Sequence, residues 1–580
     1  MKVRLLSDGD LHLDGGHELS AHQRDLVDDL GLDLLLDAMA AGDAHVRGVC
    51  ARLVLDGLED VEVVARRQGV VADALAHPEA VAAMYAVIGS GLQTARRSSA
   101  GLYRESPEPV VRRSVERLGV HLDVLRRLRG QARRLQGGVR SAPWQAFIEQ
   151  LLTTVDDDTH AGMEALLEEL TFPRGMLLSA RIGRGASGVD HVLRRPRPQG
   201  WLARSVDRSG DSFELPDRDD EAVSALVAWR ERALAPVATE LSAAADDVEA
   251  FLRQLRDELA FLLGAIQLSD RLAGAGMPTC FPEVVTGAPE SAVGAAGDGD
   301  SVAGAAADGD SVVAAGDGDP VAGAAGDGDS VVGAAGDGDP VAGAAGDGDP
   351  AEPPEPAEPP DPAEPAPLTP PRWRGSGLYD PALAIRLGSE VVPGDLDADG
   401  AALVVVTGAN QGGKSTLLRA IGSAQVLAQA GLFVPARELR LELRAGVYVH
   451  FGREEDRRLR RGRLEEELER MRRIIERIQP GDLLLANESF ASTNEAEGSA
   501  VAHGVFTALA DAGVRVVAVT HLFELAKGLE ALEREDTLFL RAQRDEDGTR
   551  PFRVEPGSPQ PTSFGRDLYL DIFGEDPADA

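Results

Sequence analysis

Residues 408 to 416, Gly-Ala-Asn-Gln-Gly-Gly-Lys-Ser-Thr, follow the apolar run Leu403 to Val406 and precede an amphipathic stretch. Gly408, Gly412 and Gly413 let the backbone curl so that its N–H groups can point at phosphate oxygens. Lys414 has the length to reach a β- or γ-phosphate, Ser415 offers a hydroxyl to Mg²⁺, and the helix expected to follow presents its positive end. Ala409, Asn410, Gln411 and Thr416 complete the loop. The pattern predicts a site for a nucleoside triphosphate with Mg²⁺. A chance glycine turn would leave the strand, the lysine and the hydroxyl unexplained.

Two further elements fit the same chemistry. The run Asp482 to Ala486 leads into Asn487 and Glu488. A carboxylate at the end of a buried strand can orient or deprotonate an attacking water, which makes Glu488 a candidate catalytic group beside Lys414. Asn487 stands where an aspartate would hold the metal's water shell; its amide is neutral, which predicts weaker Mg²⁺ binding or slower turnover. Ser415, Asn487 and Glu488 are thus the candidate metal residues. A third apolar run, Val514 to Val519, ends near His521, whose imidazole can donate to a γ-phosphate. Alone, a strand-end histidine is unremarkable; its place after the other two elements favours the functional reading.

The three runs are short and suited to buried parallel strands, each followed by turn or helical signals, so from about Ala401 the chain reads as a doubly wound α/β nucleotide-binding domain. From Asp25 to Ala275 it is rich in Leu, Ala, Val, Arg and Glu at helical spacing and reads as all-α. Leu252, Leu255, Leu259, Leu262 and Leu263 share one face of a long helix within Glu221 to Leu272, which Pro236 would kink or divide. Between them, Gly-Asp-rich repeats and a Pro/Glu tract hold 13 Asp, 6 Glu and no Lys or Arg over residues 283 to 368, which is −19 of the formal net charge of −37. Such a stretch cannot offset its ordering entropy and reads as a disordered acidic linker. Calcium-binding repeats would need tandem glycines and a regular large apolar position, both missing. The expected organisation is a helical region 1–282, a linker 283–370 and an α/β domain 371–580.

Two cysteines and no apolar N-terminal run suggest a reduced, cytoplasmic protein, and no apolar stretch is long enough to span a membrane. Lysine occurs at Lys2, Lys414 and Lys527 alone, which gives the one inside the glycine loop added weight.

TGANQGGKST resembles the phosphate loop of the MutS family, NESFASTNEAEG its second acidic motif, VTHLFEL its histidine motif, and PTSFGRDL at 561–568 its closing segment. Upstream, LDGLEDVEVVARRQGVVADAL, with Arg67 and Gln68, is similar to the helical core of that family, and Glu221 to Leu272 to its lever helices. The resemblance implies an ABC-type ATPase that binds ATP and Mg²⁺, acts as a homodimer, and couples nucleotide binding to clamping of DNA. It also implies that Asn410 and Gln411 line the nucleotide, that His521 senses the γ-phosphate, and that Ser492 and Thr493 cross the dimer interface.

Several features depart from the family. Neither a mismatch-reading domain before the helical region nor an Smr domain after the α/β domain is expected, and Phe281-Pro282-Glu283 matches a Phe-x-Glu motif only by chance. The Ser-Thr-Phe signature gives way to RRGRLEEELERMRRIIERI, where Leu464, Leu468, Met471, Ile475 and Ile478 form a stripe expected to be core, and Arg461 or Arg463 is a candidate for the contact across the dimer. Arginines at 112, 113, 126, 127, 129, 133 and 134, and at 181, 184, 194, 195, 197 and 204, offer backbone contacts to DNA or simply a solvated face. The reading is a DNA-clamping ATPase of repair or recombination; the alternative is a slow or non-hydrolysing ATP switch that holds a protein partner.

Overall fold

The computed structural model describes residues 2–7, 19–98, 106–154, 156–173, 175–184, 188–195, 220–286, 372–408, 412–452, 462–543 and 550–559. Most of the expected linker, the Ala409-Asn410-Gln411 part of the loop, Arg461, Arg197, Arg204 and the segment 561–568 lie outside them.

The helical region comprises α1 (Ala21–Leu30), α2 (Leu32–Ala40), α3 (Ala44–Leu55), α4 (Val61–Ala76), α5 (Pro78–Ser98), α6 (Pro107–Leu135), α7 (Ala142–Thr154) and α8 (Asp157–Leu170). A hairpin of β1 (Leu177–Ile182) and β2 (Gly188–Arg194) follows, then α9 (Asp220–Gly274) and β3 (Glu283–Val285). The caps explain the sharp boundaries. Ser20 and Gln23 form a reciprocal capping box at the start of α1, and Gly31, left-handed at φ 70°, ends it and turns the chain into α2.

Three expectations need correction. The region is not all-α: β1 and β2 pair antiparallel from Leu177 with Arg194 to Ile182 with Gly188. The Leu, Ala and Arg content of these runs favours helix locally, while glycines at the turn favour a hairpin. Pro236 does not divide the long helix; α9 runs through it for 55 residues. The cost is one lost backbone bond in an otherwise continuous ladder. Residues 283 to 285, expected as linker, form a strand that pairs parallel with residues 440 to 442.

The C-terminal part continues with β4 (Trp373–Leu378), α10 (Pro381–Leu387), β5 (Gly394–Asp397), β6 (Leu403–Thr407), α11 (Lys414–Gln429), β7 (Glu438–Glu442), β8 (Val447–Phe451) and α12 (Arg463–Ile475). It closes with β9 (Leu483–Asn487), α13 (Glu495–Asp511), β10 (Arg515–Val519), α14 (Phe523–Glu530), β11 (Thr537–Ala542) and β12 (Val554–Pro556). The larger sheet has the order β12-β11-β6-β10-β9-β8, parallel except for β12. The smaller one, β3-β7-β4-β5, borrows its edge strand from the end of the helical region. The three runs read as buried strands in the sequence are β6, β9 and β10, and they lie side by side in the order β6-β10-β9.

One apolar cluster joins the two parts. Leu259, Phe261 and Leu262 of α9, Leu35 and Met39 of α2, and Val404, Leu418 and Leu485 of the α/β part belong to the same buried core. Arg67 of α4 reinforces this seam, donating to the Ala430 carbonyl at 3.2 Å just beyond α11 and to the Leu6 carbonyl at 3.3 Å. Burial pushes its guanidinium down to about 10 and the neighbouring Glu258 carboxyl up to about 7. Glu258 Oε2 accepts from the Leu5 and Leu6 amides at 2.8 and 3.2 Å, while the buried Oε1 has no hydrogen-bond partner among the described residues. Among the described residues no single helix is long and apolar enough to cross a membrane.

Candidate functional site

The carboxyl ends of β6, β10 and β9 converge at one edge of the larger sheet, where open α/β sheets hold their ligands. β6 delivers Gly408 and, across the loop, Lys414 at the start of α11. Both flanking glycines are demanded by geometry. Gly408 has φ 115°, and a Cβ there would lie 2.9 Å from the Ala542 amide nitrogen; Gly413 has φ 89°, and its Cβ would meet the Phe552 carbonyl oxygen at 3.1 Å. A side chain at either position would therefore be strained as well as crowded. The segment Arg550–Arg553 thus crosses the loop, a neighbour that the loop motif gives no hint of.

Lys414 is buried, and its Nζ donates to the Gly408 carbonyl at 2.8 Å. Burial lowers its pKa, with the nearby Glu488 carboxylate opposing that effect and Arg550 adding to it. Ser415 on the first turn of α11 donates its hydroxyl to Asn487 Oδ1 at 2.9 Å. The bond joins the hydroxyl and the amide that the sequence assigned to one metal.

Glu488 follows β9 in the left-handed region, at φ 52°, and Phe490 does the same at φ 61°. The turn is held by the Glu488 amide donating to the Val519 carbonyl at 2.8 Å and the Gly452 amide donating to Asn487 at 2.9 Å. His521, past the end of β10, sets its Nδ1 3.6 Å from Glu488 Oε1. The imidazole holds the Glu488 carboxyl below its usual range, and the carboxylate raises His521. Glu495, at the start of α13, accepts from the Phe523 and Glu524 amides and so anchors α14 beside His521.

Lys414, Ser415, Asn487, Glu488 and His521 are therefore neighbours, as are Gly408, Gly412 and Gly413; Thr416 lies half-buried on α11. Ala409, Asn410 and Gln411 are outside the described residues. A hydroxyl, an amide oxygen and a carboxylate are hard oxygen donors, the kind that suits Mg²⁺ shared with water and phosphate.

Two residues at this site have no motif to announce them. His450 of β8 is fully buried, its Nδ1 2.6 Å from Ser489 Oγ and its Nε2 3.0 Å from the Glu467 carbonyl of α12. Burial, helped by the Arg470 charge, pushes the imidazole down to about 4, so the ring is neutral. The expected α12 stripe is buried only in part: Met471 and Ile478 are core, whereas Leu468 and Ile475 are exposed. The buried face instead includes Arg470 and Ile474, because Arg470 turns inward to donate to the Phe451 carbonyl at 2.8 Å and to Asp29 of α1 at 3.0 Å. Arg463 opens α12.

Many of the arginines that could contact DNA are engaged locally. Arg126 and Arg127 pair with Asp123, Arg129 and Arg133 with Asp157, Arg181 with Asp190, and Arg195 with Glu169.

These features define an α/β domain with a glycine loop between a buried strand and a helix, fused through a common core to a long-helix region. Comparison with known proteins gives that class a family. Residues 59–275 match the family model described as the MutS2 N-terminal domain, and residues 404–567 match that of MutS domain V. The chain is 35% identical over 179 residues to an endonuclease MutS2 of Carboxydothermus hydrogenoformans, covering 30% of this chain and 22% of that protein. It is 36% identical over 180 residues to a DNA mismatch repair protein MutS of Thermus aquaticus, again 30% and 22%. An endonuclease MutS2 of Lactiplantibacillus plantarum shares 31% over 171 residues, 29% and 21% of the two chains. The matched stretch thus spans about a fifth of the length of these relatives. The chain belongs to the MutS-related family.

Proposed function

We propose that the chain is a DNA-binding ATPase that works as a homodimer, using ATP binding and hydrolysis at the loop 408–416 to clamp duplex, mismatched or branched DNA in repair or recombination. The observation that carries this reading is the meeting of the Ser415–Asn487 bond, 2.9 Å, with the Glu488–His521 pair, 3.6 Å, beside Lys414.

In this reading the loop amides and Lys414 bind the β- and γ-phosphates, and swinging Nζ from the Gly408 carbonyl to phosphate exchanges one acceptor for a charged one. Glu488 orients the attacking water and accepts its proton as the terminal phosphorus–oxygen bond breaks, giving ADP and phosphate. Held low by His521, the carboxylate is ionised and ready to accept. His521, released from Glu488, donates to the γ-phosphate and stabilises the charge that builds on it. Ser415, Asn487 and Glu488 would hold Mg²⁺ directly or through water, and the ion would neutralise charge on the phosphates.

A second reading, an ATP-binding switch with slow or no hydrolysis and a protein partner, draws support from Asn487, whose neutral amide weakens the hold on a metal. The two separate by measuring ATP binding and turnover with and without homoduplex, mismatched and branched DNA. Stimulation by DNA, lost in Lys414→Ala and Glu488→Gln, supports the first reading. Binding of ATP with neither turnover nor retention on DNA supports the second, and failure to bind ATP overturns both.

A further inference from the structure

Glu488 and Phe490 both occupy left-handed backbone conformations with Ser489 between them. Each such non-glycine residue is strained and persists only where the surroundings over-determine it. Backbone pairing fixes the amide of Glu488, as described above. What fixes the following residue is different. Ser489 is buried, and its hydroxyl, with one proton to give, lies within reach of two acceptors on one residue: Nδ1 of His450 at 2.6 Å and the His450 carbonyl at 2.9 Å. The opposite ring nitrogen, Nε2, faces the Glu467 carbonyl, which can only accept. Nε2 therefore carries the proton of the neutral ring, and Nδ1 is left to accept from Ser489.

The ring is itself immobilised. It packs against Phe490, with centroids 5.4 Å apart. The Phe490 carbonyl leaves no room for a Cβ on Gly498, so α13 presses directly on the turn. Glu488 thus stands on a two-residue tether, Ser489 to His450 to α12, inside a wall with no slack.

We propose that Ser489 and His450 are positioning residues for Glu488: their buried hydrogen bond sets the direction of the carboxylate toward the reacting phosphate. This rests on the hydrolytic reading given above. Both residues act through the backbone of Glu488.

The decisive comparison is among Ser489→Ala, which removes the hydroxyl, Ser489→Thr, which keeps it, and Ser489→Val, which has the shape of threonine without it. Turnover, KM, nucleotide stoichiometry and thermal midpoint are measured on the full chain. The loss of one buried hydrogen bond at a catalytic turn corresponds to about a tenfold fall in kcat. We expect that fall in Ala and Val with KM and stoichiometry unchanged, recovery in Thr, and a similar fall in His450→Leu. Unchanged kcat in Ala overturns the proposal. So does a parallel fall of kcat, stoichiometry and thermal midpoint with Thr no better than Val, which marks a merely structural role. If the parent protein binds ATP but never turns it over, the hydrolytic reading fails by itself. Amide exchange at Glu488 to Phe490 then decides: acceleration in Ala and Val but not Thr supports the tether, and equal exchange in all variants refutes it.

Discussion

The two ends of α9 belong to one rod but live in different surroundings. At the C-terminal end, Leu252, Leu255, Leu259, Phe261 and Leu262 are enclosed in the core that also contains Val404 and Leu485 of the larger sheet. At the N-terminal end, Val223, Leu226, Val227 and Trp229 are exposed. Between them run 55 residues, about 80 Å at ~1.5 Å per residue. The root shares its buried core with the strands that lead to Lys414 and Glu488, while the tip has its own small cluster of Val111, Val115, Leu234 and Ala238. Between root and tip α6 packs along the rod, Arg117 pairing with Asp246 and Glu249 and Arg230 with Glu108, so a displacement at the root would move both helices as a lever.

The root should respond most to mutation. Phe261→Ala is expected to cost ~3–5 kcal/mol, as for other buried aromatic truncations. Because the cluster spans both regions, loss of helix and loss of sheet should occur in one denaturant transition. Two separated transitions would show that the root is not shared. Arg470→Met at the second seam should cost ~3–5 kcal/mol, since it leaves Asp29 buried with its ion pair gone. Arg470→Met with Asp29→Leu should recover most of that loss; no recovery would mean that the guanidinium matters for its bond to Phe451 and not for the pair.

Effects at the site itself should be smaller in stability and larger in rate. Asn487→Asp adds a negative charge next to Ser415, and by strengthening the hold on Mg²⁺ should raise turnover at limiting Mg²⁺ by about threefold to tenfold. Equal rates across a Mg²⁺ titration would remove Asn487 from the metal's surroundings. The His521–Glu488 pair has a defined pH window. His521 is raised from 6.5, so its contribution is complete below that value and fades as pH climbs through the raised one. Glu488 is lowered from 4.5, so its contribution is complete above 4.5 and fades as pH falls through the lowered one. Both groups are about one-third exposed, so His521→Gln should cost no more than ~0.2–1 kcal/mol near pH 6. That cost should vanish by about pH 9. A cost independent of pH would assign His521 a packing role.

The order in which these features could be read from the sequence follows from their range. β6, β9 and β10 were legible because each is a short apolar run whose neighbours in the chain are turns, and the loop Gly408 to Thr416 because its function forces residue types at fixed spacing. Ser489 and His450 were not, since they lie 39 residues apart and meet only through the parallel pairing of β8 with β9. Nor was Arg470, which periodicity marks as a solvated position and which a partner 441 residues away draws inside. The hairpin β1–β2 was hidden for the opposite reason: its composition favours helix locally, and only its pairing makes it a sheet.

The tip completes the comparison with the smallest effect. Trp229 is exposed, and its ring lies 6.3 Å from that of His191 on β2. Truncating a side chain that is already in water removes little buried area, so Trp229→Ala should change stability by no more than ~0.5 kcal/mol. The same change should nevertheless alter DNA retention if the tip takes part in clamping, because the ring stands against His191 on the hairpin that carries the neighbouring arginines. Contacts of that kind are mainly with the backbone, so retention should fall steeply with salt in the parent protein. A stable Trp229→Ala variant that holds DNA as the parent does, with the same salt slope, would leave the tip without a part in the grip and return the lever's load to another surface.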